Sequence, residues 1–290
     1  MRIDTEFGPL AARVIPGPPP VAVLWHSMFT DSRSWERVTG DLSQKRTLVL
    51  IYGWSFGDSA DLERVVDKFI DQCAQAAAAA VAQVQSELAA GPVDWLGSAW
   101  GGHVGLHLAA TRPELVRSLI TVSTPIRAAS PSLRRQGRML LPVYRAIGMR
   151  GPVRQGLLDG MLTDLTRRTD PEAVDALVAP MSRANRGAIA RTVHSGVLKR
   201  TDLAWAAARV RCPTLMIATD DRGEWSPSEC AEATAAMKDA RSAVLRGSRA
   251  LPSLECPTEL AALVTDFWAG HAAVESPPAG RRTGPLEAST

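Results

Sequence analysis

Residues 92–113 read PVDWLGSAWGGHVGLHLAATRP, and this stretch decides the fold. A mostly apolar run, Val93 to Leu96, meets Gly97. Gly101-Gly102 follow four residues on, and an apolar pattern with helical spacing then runs to Thr111. Strand, tight turn, helix is the reading, with glycines where strand and helix must approach closely. The residue at the apex of that turn is Ala99.

Working outward, Val21–Trp25 and Thr47–Tyr52 are continuous apolar runs, as expected of strands buried on both faces. Arg2–Phe7 and Leu10–Ile15 flank Gly8-Pro9 and predict an opening hairpin. Asp31 to Leu42 and Leu62 to Leu88 have helical spacing, the second containing the alanine-rich run 74–82. Leu115–Val122 is another strand, ended by Ser123-Thr124-Pro125. Residues 126–205 then lack strand-like runs and carry amphipathic stretches broken at Gly151-Pro152, Asp170-Pro171 and Ala179-Pro180. Alternation resumes with strand Thr214–Ala218, helix 227–237, strand Ser242–Leu245 and helix 257–269. A helical insertion in a β/α chain reads as a lid over the strand ends. Residues 271–290, rich in Pro, Gly, Arg and Ser, are expected to be disordered.

A chain of 290 residues, 46% hydrophobic and 22% charged, suits one medium α/β domain with an insertion. The formal net charge is only +3. The arginine clusters at 134–138 and 281–282 read as solvated surface, so no nucleic-acid partner is expected. The N-terminus lacks a secretory apolar core and no run is long enough to span a bilayer, so the expectation is a cytoplasmic chain with no membrane partner. Cys73, Cys212, Cys230 and Cys256 form no CxxC pair and read as free thiols in a reducing compartment.

Five segments in order carry a resemblance. They are Leu24-Trp25-His26-Ser27, Ser55-Phe56-Gly57-Asp58-Ser59, Gly97–Gly102, Cys212-Pro213-Thr214-Leu215, and Leu251-Pro252 with Leu254-Glu255-Cys256-Pro257. Together they resemble the capped α/β-hydrolase superfamily over about residues 1–269. The resemblance implies an α/β-hydrolase fold, with a mostly parallel eight-stranded sheet flanked by helices. Residues 1–125 and 206–270 would form the core, and 126–205 a helical cap.

It also implies a serine, an acid and a histidine in that chain order. Ala99 occupies the serine position and Ala250 the histidine position. A methyl group cannot attack a carbonyl or hold a covalent intermediate. The acid would follow strand 214–218, where Asp220, Asp221 and Glu224 lie, with Asp221 best placed. The family's oxyanion hole would use backbone N–H groups, here of Met28 and Trp100. Ser98 is one residue early for a nucleophile, and a small packed side chain is the better reading. Ser27 is either a substrate-reaching hydroxyl or one bonded to nearby backbone. His26 supports its loop, and His194, near the end of the cap, is a replacement base or a surface residue. Trp100 and Trp225 are aromatic pocket walls or core. His103 and His107 lie four apart on one helix face, which reads as core packing over a metal site. Glu255 reads as a structural carboxylate. No cofactor and no metal are expected.

Three functions compete. The first is a small-molecule enzyme that forms no acyl-enzyme, moving a proton with Asp221, Glu224 or His194 by water-mediated hydrolysis, lyase, cyclase or isomerase chemistry. The second is a pseudoenzyme that binds a small ligand or partner, with a homodimer among the possibilities. The third is an engineered knock-out of a serine hydrolase.

Overall fold

The computed structural model describes residues 1–62, 65 and 69–271. Eight strands form one sheet in the order β1-β2-β4-β3-β5-β6-β7-β8. These are β1 (Arg2–Ile3), β2 (Leu10–Ile15), β3 (Val21–Trp25), β4 (Thr47–Tyr52), β5 (Val93–Ser98), β6 (Val116–Val122), β7 (Thr214–Thr219) and β8 (Ala240–Leu245). β1 and β2 form the expected hairpin and pair antiparallel, as do β2 and β4, while all other pairs are parallel. β3 and β5 are buried at every position, as central strands covered on both faces must be.

The helices cover both faces. On one lie α2 (Phe69–Glu87) and α3 (Trp100–Thr111), on the other α1 (Glu36–Ser43) and α12 (Pro257–His271). Ala76, Ala77 and Ala80 let α2 pack closely, and its contact with α3 is among the most extensive between helices. Of the helix expected over Leu62 to Leu88, Phe69–Glu87 is helical, and residues 63, 64 and 66–68 lie outside the described residues. Of the tail expected to be disordered, 271–290, His271 ends α12 and 272–290 lie outside the described residues.

Between β6 and β7 the chain is helical, with α4 (Pro131–Ile147), α5 (Gly151–Met161), α6 (Asp164–Thr169), α7 (Pro171–Arg183), α8 (Arg186–Val193) and the short α9 (Ala204–Ala207). α10 (Pro227–Ala235) and α11 (Pro252–Glu255) complete the set. Leu158, Leu162, Ala173 and Leu177 of this segment form a small apolar cluster with Leu251 and Leu254 of the sheet domain. Among the described residues no helix is long and apolar enough to cross a membrane.

Candidate active site

The turn after β5 is where the site begins. Ala99 has φ 45 and ψ −102, a conformation that costs a residue with a Cβ on the order of 1–3 kcal/mol. Its surroundings leave no alternative. A Cβ on Gly97 would lie 2.3 Å from the Gly101 carbonyl carbon, and one on Gly101 would lie 2.0 Å from the Trp25 carbonyl oxygen. Only glycine permits this approach of strand and helix. The Ala99 N–H donates to Val122 O at 2.8 Å and its carbonyl accepts from His103 N–H at 3.0 Å. Trp100 opens α3, so its N–H has no intrahelical acceptor.

Ala99 lies on the wall of a cavity of about 610 Å³, together with Ser27, Met28, Trp100, Trp225 and Ala250. The rest of the wall is largely apolar. Met149, Leu157, Met161, Met181 and Ile189 come from the segment between β6 and β7. Tyr144 also lines it, with its hydroxyl committed to Met181 O at 3.0 Å and burial pushing its pKa up to about 12. Ala99 and Ala250, which the resemblance sets at the serine and histidine positions, therefore line one space.

Asp221 is not among the lining residues. Its Oδ2 accepts from Arg249 Nη2 at 2.8 Å and Nε at 3.1 Å, and Arg222 Nε reaches Oδ1 at 3.3 Å. The Arg249 side chain is only 3% exposed. The Asp221 carboxylate thus has a buried cation as its partner. Glu224 does line the cavity and is paired with Arg200, whose Nη1 lies 3.2 Å from Oε2. Arg200 Nε also donates to Arg127 O at 3.0 Å, which fixes its direction.

Three expected site residues face elsewhere. His194 is exposed and does not line the cavity. It opens a π-type turn, closed by Lys199 N–H donating to His194 O at 3.1 Å. Its side chain continues the solvent side of α8 and is exposed. Ser98 is buried in β5, in register with Val122, away from the cavity. His26 is a brace and not a lining residue. Its Nδ1 donates to Ser27 O at 2.6 Å and its Nε2 accepts from Gly53 N–H at 2.8 Å, tying the 26–30 turn to the next loop. Burial holds it below the usual histidine range, consistent with this neutral tautomer.

His103 Nε2 donates to Pro125 O at 2.7 Å and is stacked edge-on against Trp100. His107 Nε2 meets Asp71 Oδ1 at 2.9 Å and its ring abuts Trp205. The two rings hold different partners. Glu255 is the clasp expected of it: it accepts from Thr163 N–H at 2.7 Å, Arg249 N–H at 2.8 Å and Ser248 Oγ at 3.0 Å. All four cysteines are free thiols.

Sequence reasoning named Arg222 and Arg249 as possible partners of Asp221, and missed Arg200 and Ser123. Ser123 lines the cavity with φ 49, and its Oγ is buried without a partner among the described residues. The only signal was its place at the end of β6, immediately before Thr124-Pro125.

The model of the Alpha/beta hydrolase family matches residues 22–263. No curated protein matches the chain in sequence. The fold is similar to that of a thermophilic esterase from Thermogutta terrifontis, solved with malate bound, at 19% identity and TM-score 0.79, covering 93% of this chain and 98% of that one. It is similar to the enol-lactonase of Burkholderia xenovorans LB400, at 19% identity and TM-score 0.80, over 93% of this chain and 100% of that one. It is also similar to the ancestral haloalkane dehalogenase AncHLD2, at 19% identity and TM-score 0.73, over 93% of this chain and 99% of that one.

Proposed function

Because the chain belongs to the alpha/beta hydrolase family, we propose that it is a small-molecule enzyme that works without a serine acyl-enzyme. Residues 126–205 act as the cap over its cavity. The substrate has an apolar body matched to the cap and one carbonyl directed at the 99–100 turn. The observation that carries this reading is the cavity of about 610 Å³ with Ala99, Ala250 and the Arg200–Glu224 pair on its wall. That volume suits a drug-sized molecule.

The N–H groups of Met28 and Trp100 stabilise the oxyanion, and Glu224, held by Arg200, accepts the proton. In hydrolysis, Glu224 takes a proton from water as its oxygen adds to the carbonyl. The tetrahedral oxyanion then collapses and the leaving oxygen recovers that proton. The same parts serve lyase, cyclase or isomerase chemistry through an enolate. Esterase and lactonase names among the similar structures make esters and lactones the first substrates to test. With γ-dodecalactone we expect slow ring opening, no labelling by a fluorophosphonate, and no burst on p-nitrophenyl acetate. Glu224→Gln lowers kcat by at least about 10²-fold at similar KM. Equal turnover by Glu224→Gln would remove this role.

A second reading is a binding protein. It is supported by Asp221, which lies outside the cavity and is already neutralised by Arg249. Ligands that raise the melting temperature but are recovered unchanged would establish it over the first.

A further inference from the structure

The cap carries a charge pattern that the cavity does not use. From Arg127 to Leu158 there are seven arginines and no acidic residue. Arg127 faces Glu232 at 3.5 Å and Glu229 at 3.9 Å. Arg134, Arg135, Arg138, Arg145, Arg150 and Arg154 have no ion-pair partner among the described residues, and all but the half-buried Arg134 are exposed.

These arginines sit on and beside an unusually bare helix. Of the 17 residues of α4, only Tyr144 is buried. Arg134, Arg138 and Arg145 are spaced by four and seven and so run along one side. Leu133, Leu140 and Tyr144 run along another and line the cavity. Met139, 62% exposed, and Ile147, 40% exposed, add apolar surface facing solvent. The solvent side of α4 thus combines unpaired arginines with the exposed apolar side chains of Met139 and Ile147, a composition suited to a lipid interface. Guanidinium groups match phosphate oxygens in paired hydrogen bonds.

We propose that the outer face of α4 and the start of α5 dock on an anionic phospholipid surface, with the apolar cavity opening towards it. An acidic protein would engage the arginines equally well. Lipid is favoured because the same helix exposes Met139 and Ile147 and roofs an apolar cavity, so one surface both attracts the protein and supplies apolar molecules. The sequence expectation of no membrane partner rested on the lack of a spanning segment, which a surface-lying helix does not need. The docking is independent of the chemistry assigned to Glu224.

The test is cosedimentation of the full chain with phosphatidylcholine vesicles, with and without phosphatidylglycerol. Binding is expected only with phosphatidylglycerol, and salt releases it. The triple variant Arg134→Gln, Arg138→Gln, Arg145→Gln should bind about 10²-fold more weakly, at roughly fivefold per arginine, with an unchanged melting curve. Equal binding to both vesicles, or an unaffected triple variant, overturns the proposal. So does binding to polyglutamate but not to vesicles, which would point to an acidic protein. If the triple variant does not fold, the salt dependence of the unaltered chain decides, and salt-resistant binding counts against the proposal.

Discussion

At the scale of single residues, the turn at Ala99 is fixed by its neighbours and not by its own side chain. Ala99 keeps its strained backbone because Gly97, Gly101 and the Trp25 carbonyl fix it from both sides. Placing Ser at 99 therefore needs no backbone change. Placing His at 250 is different, because a triad histidine must donate to an acid, and Arg249 already occupies Asp221 Oδ2. The orienting acid accounts for about 10⁴ in kcat in a working triad. We therefore expect Ala99→Ser with Ala250→His to hydrolyse p-nitrophenyl butyrate feebly. Adding Arg249→Ala frees Asp221 and raises kcat by roughly 10²-fold, with an acyl-enzyme burst. Equal activity of the double and triple variants in stopped-flow assays would mean that Arg249 does not block the acid.

At the scale of elements, the helical segment between β6 and β7 is tied to the rest of the chain by polar clasps, among them Arg37, Glu255 and Arg249. Arg37 of α1 donates to Asp170, the N-cap of α7, at 2.5 and 2.8 Å, and to Leu254 O at 2.8 Å. Asp170 also caps α7 by accepting from Ala173 N–H at 2.9 Å. The Arg37 guanidinium holds the Asp170 carboxyl below its usual range. Arg37→Ala should cost about 1–2 kcal/mol, since both partners are partly buried and charged. Amide exchange should quicken in 164–183 while α3 stays protected. Uniform loss of protection would mean that the Arg37 clasp is part of the global fold. The elements themselves were legible in the sequence. β3, β4 and the turn at Gly97 follow directly from apolar runs and glycine spacing. The charges were not. Asp94 sits inside the apolar run of β5, fully buried, bonded to Arg46 at 2.7 Å, Arg117 at 3.0 Å and Ser118 at 2.6 Å. Those partners lie 48, 23 and 24 residues away, beyond any local pattern. His194 failed for a different reason: it ends α8 on that helix's solvent side, and Arg200, six residues on, lies at the wall.

At the scale of the whole molecule, two apolar layers enclose the sheet, and a few polar groups are sealed within them. His103 is the most consequential for stability against acid. It lies on α3, 3% exposed, and its Nδ1 has no partner among the described residues. Burial pushes its pKa down to about 3, with the charge of Arg200 adding to the effect. The unfolded chain would protonate the same histidine near 6.5. Below that pH the unfolded state binds a proton that the folded state refuses, so stability is lost as pH falls from about 6.5 towards 3. His26 acts in the same direction for the same reason, and Asp170 adds to the loss at lower pH, where its depressed carboxyl gains a proton. One refused proton corresponds to a slope of about 1.4 kcal/mol per pH unit. Urea unfolding between pH 7 and pH 4 should therefore give a shallower line for His103→Gln than for the parent, by about that slope. The glutamine can still donate to Pro125 O but takes no proton. Parallel lines would mean that His103 is protonated within the fold, and the cavity wall it shares with Arg200 would then carry two positive charges.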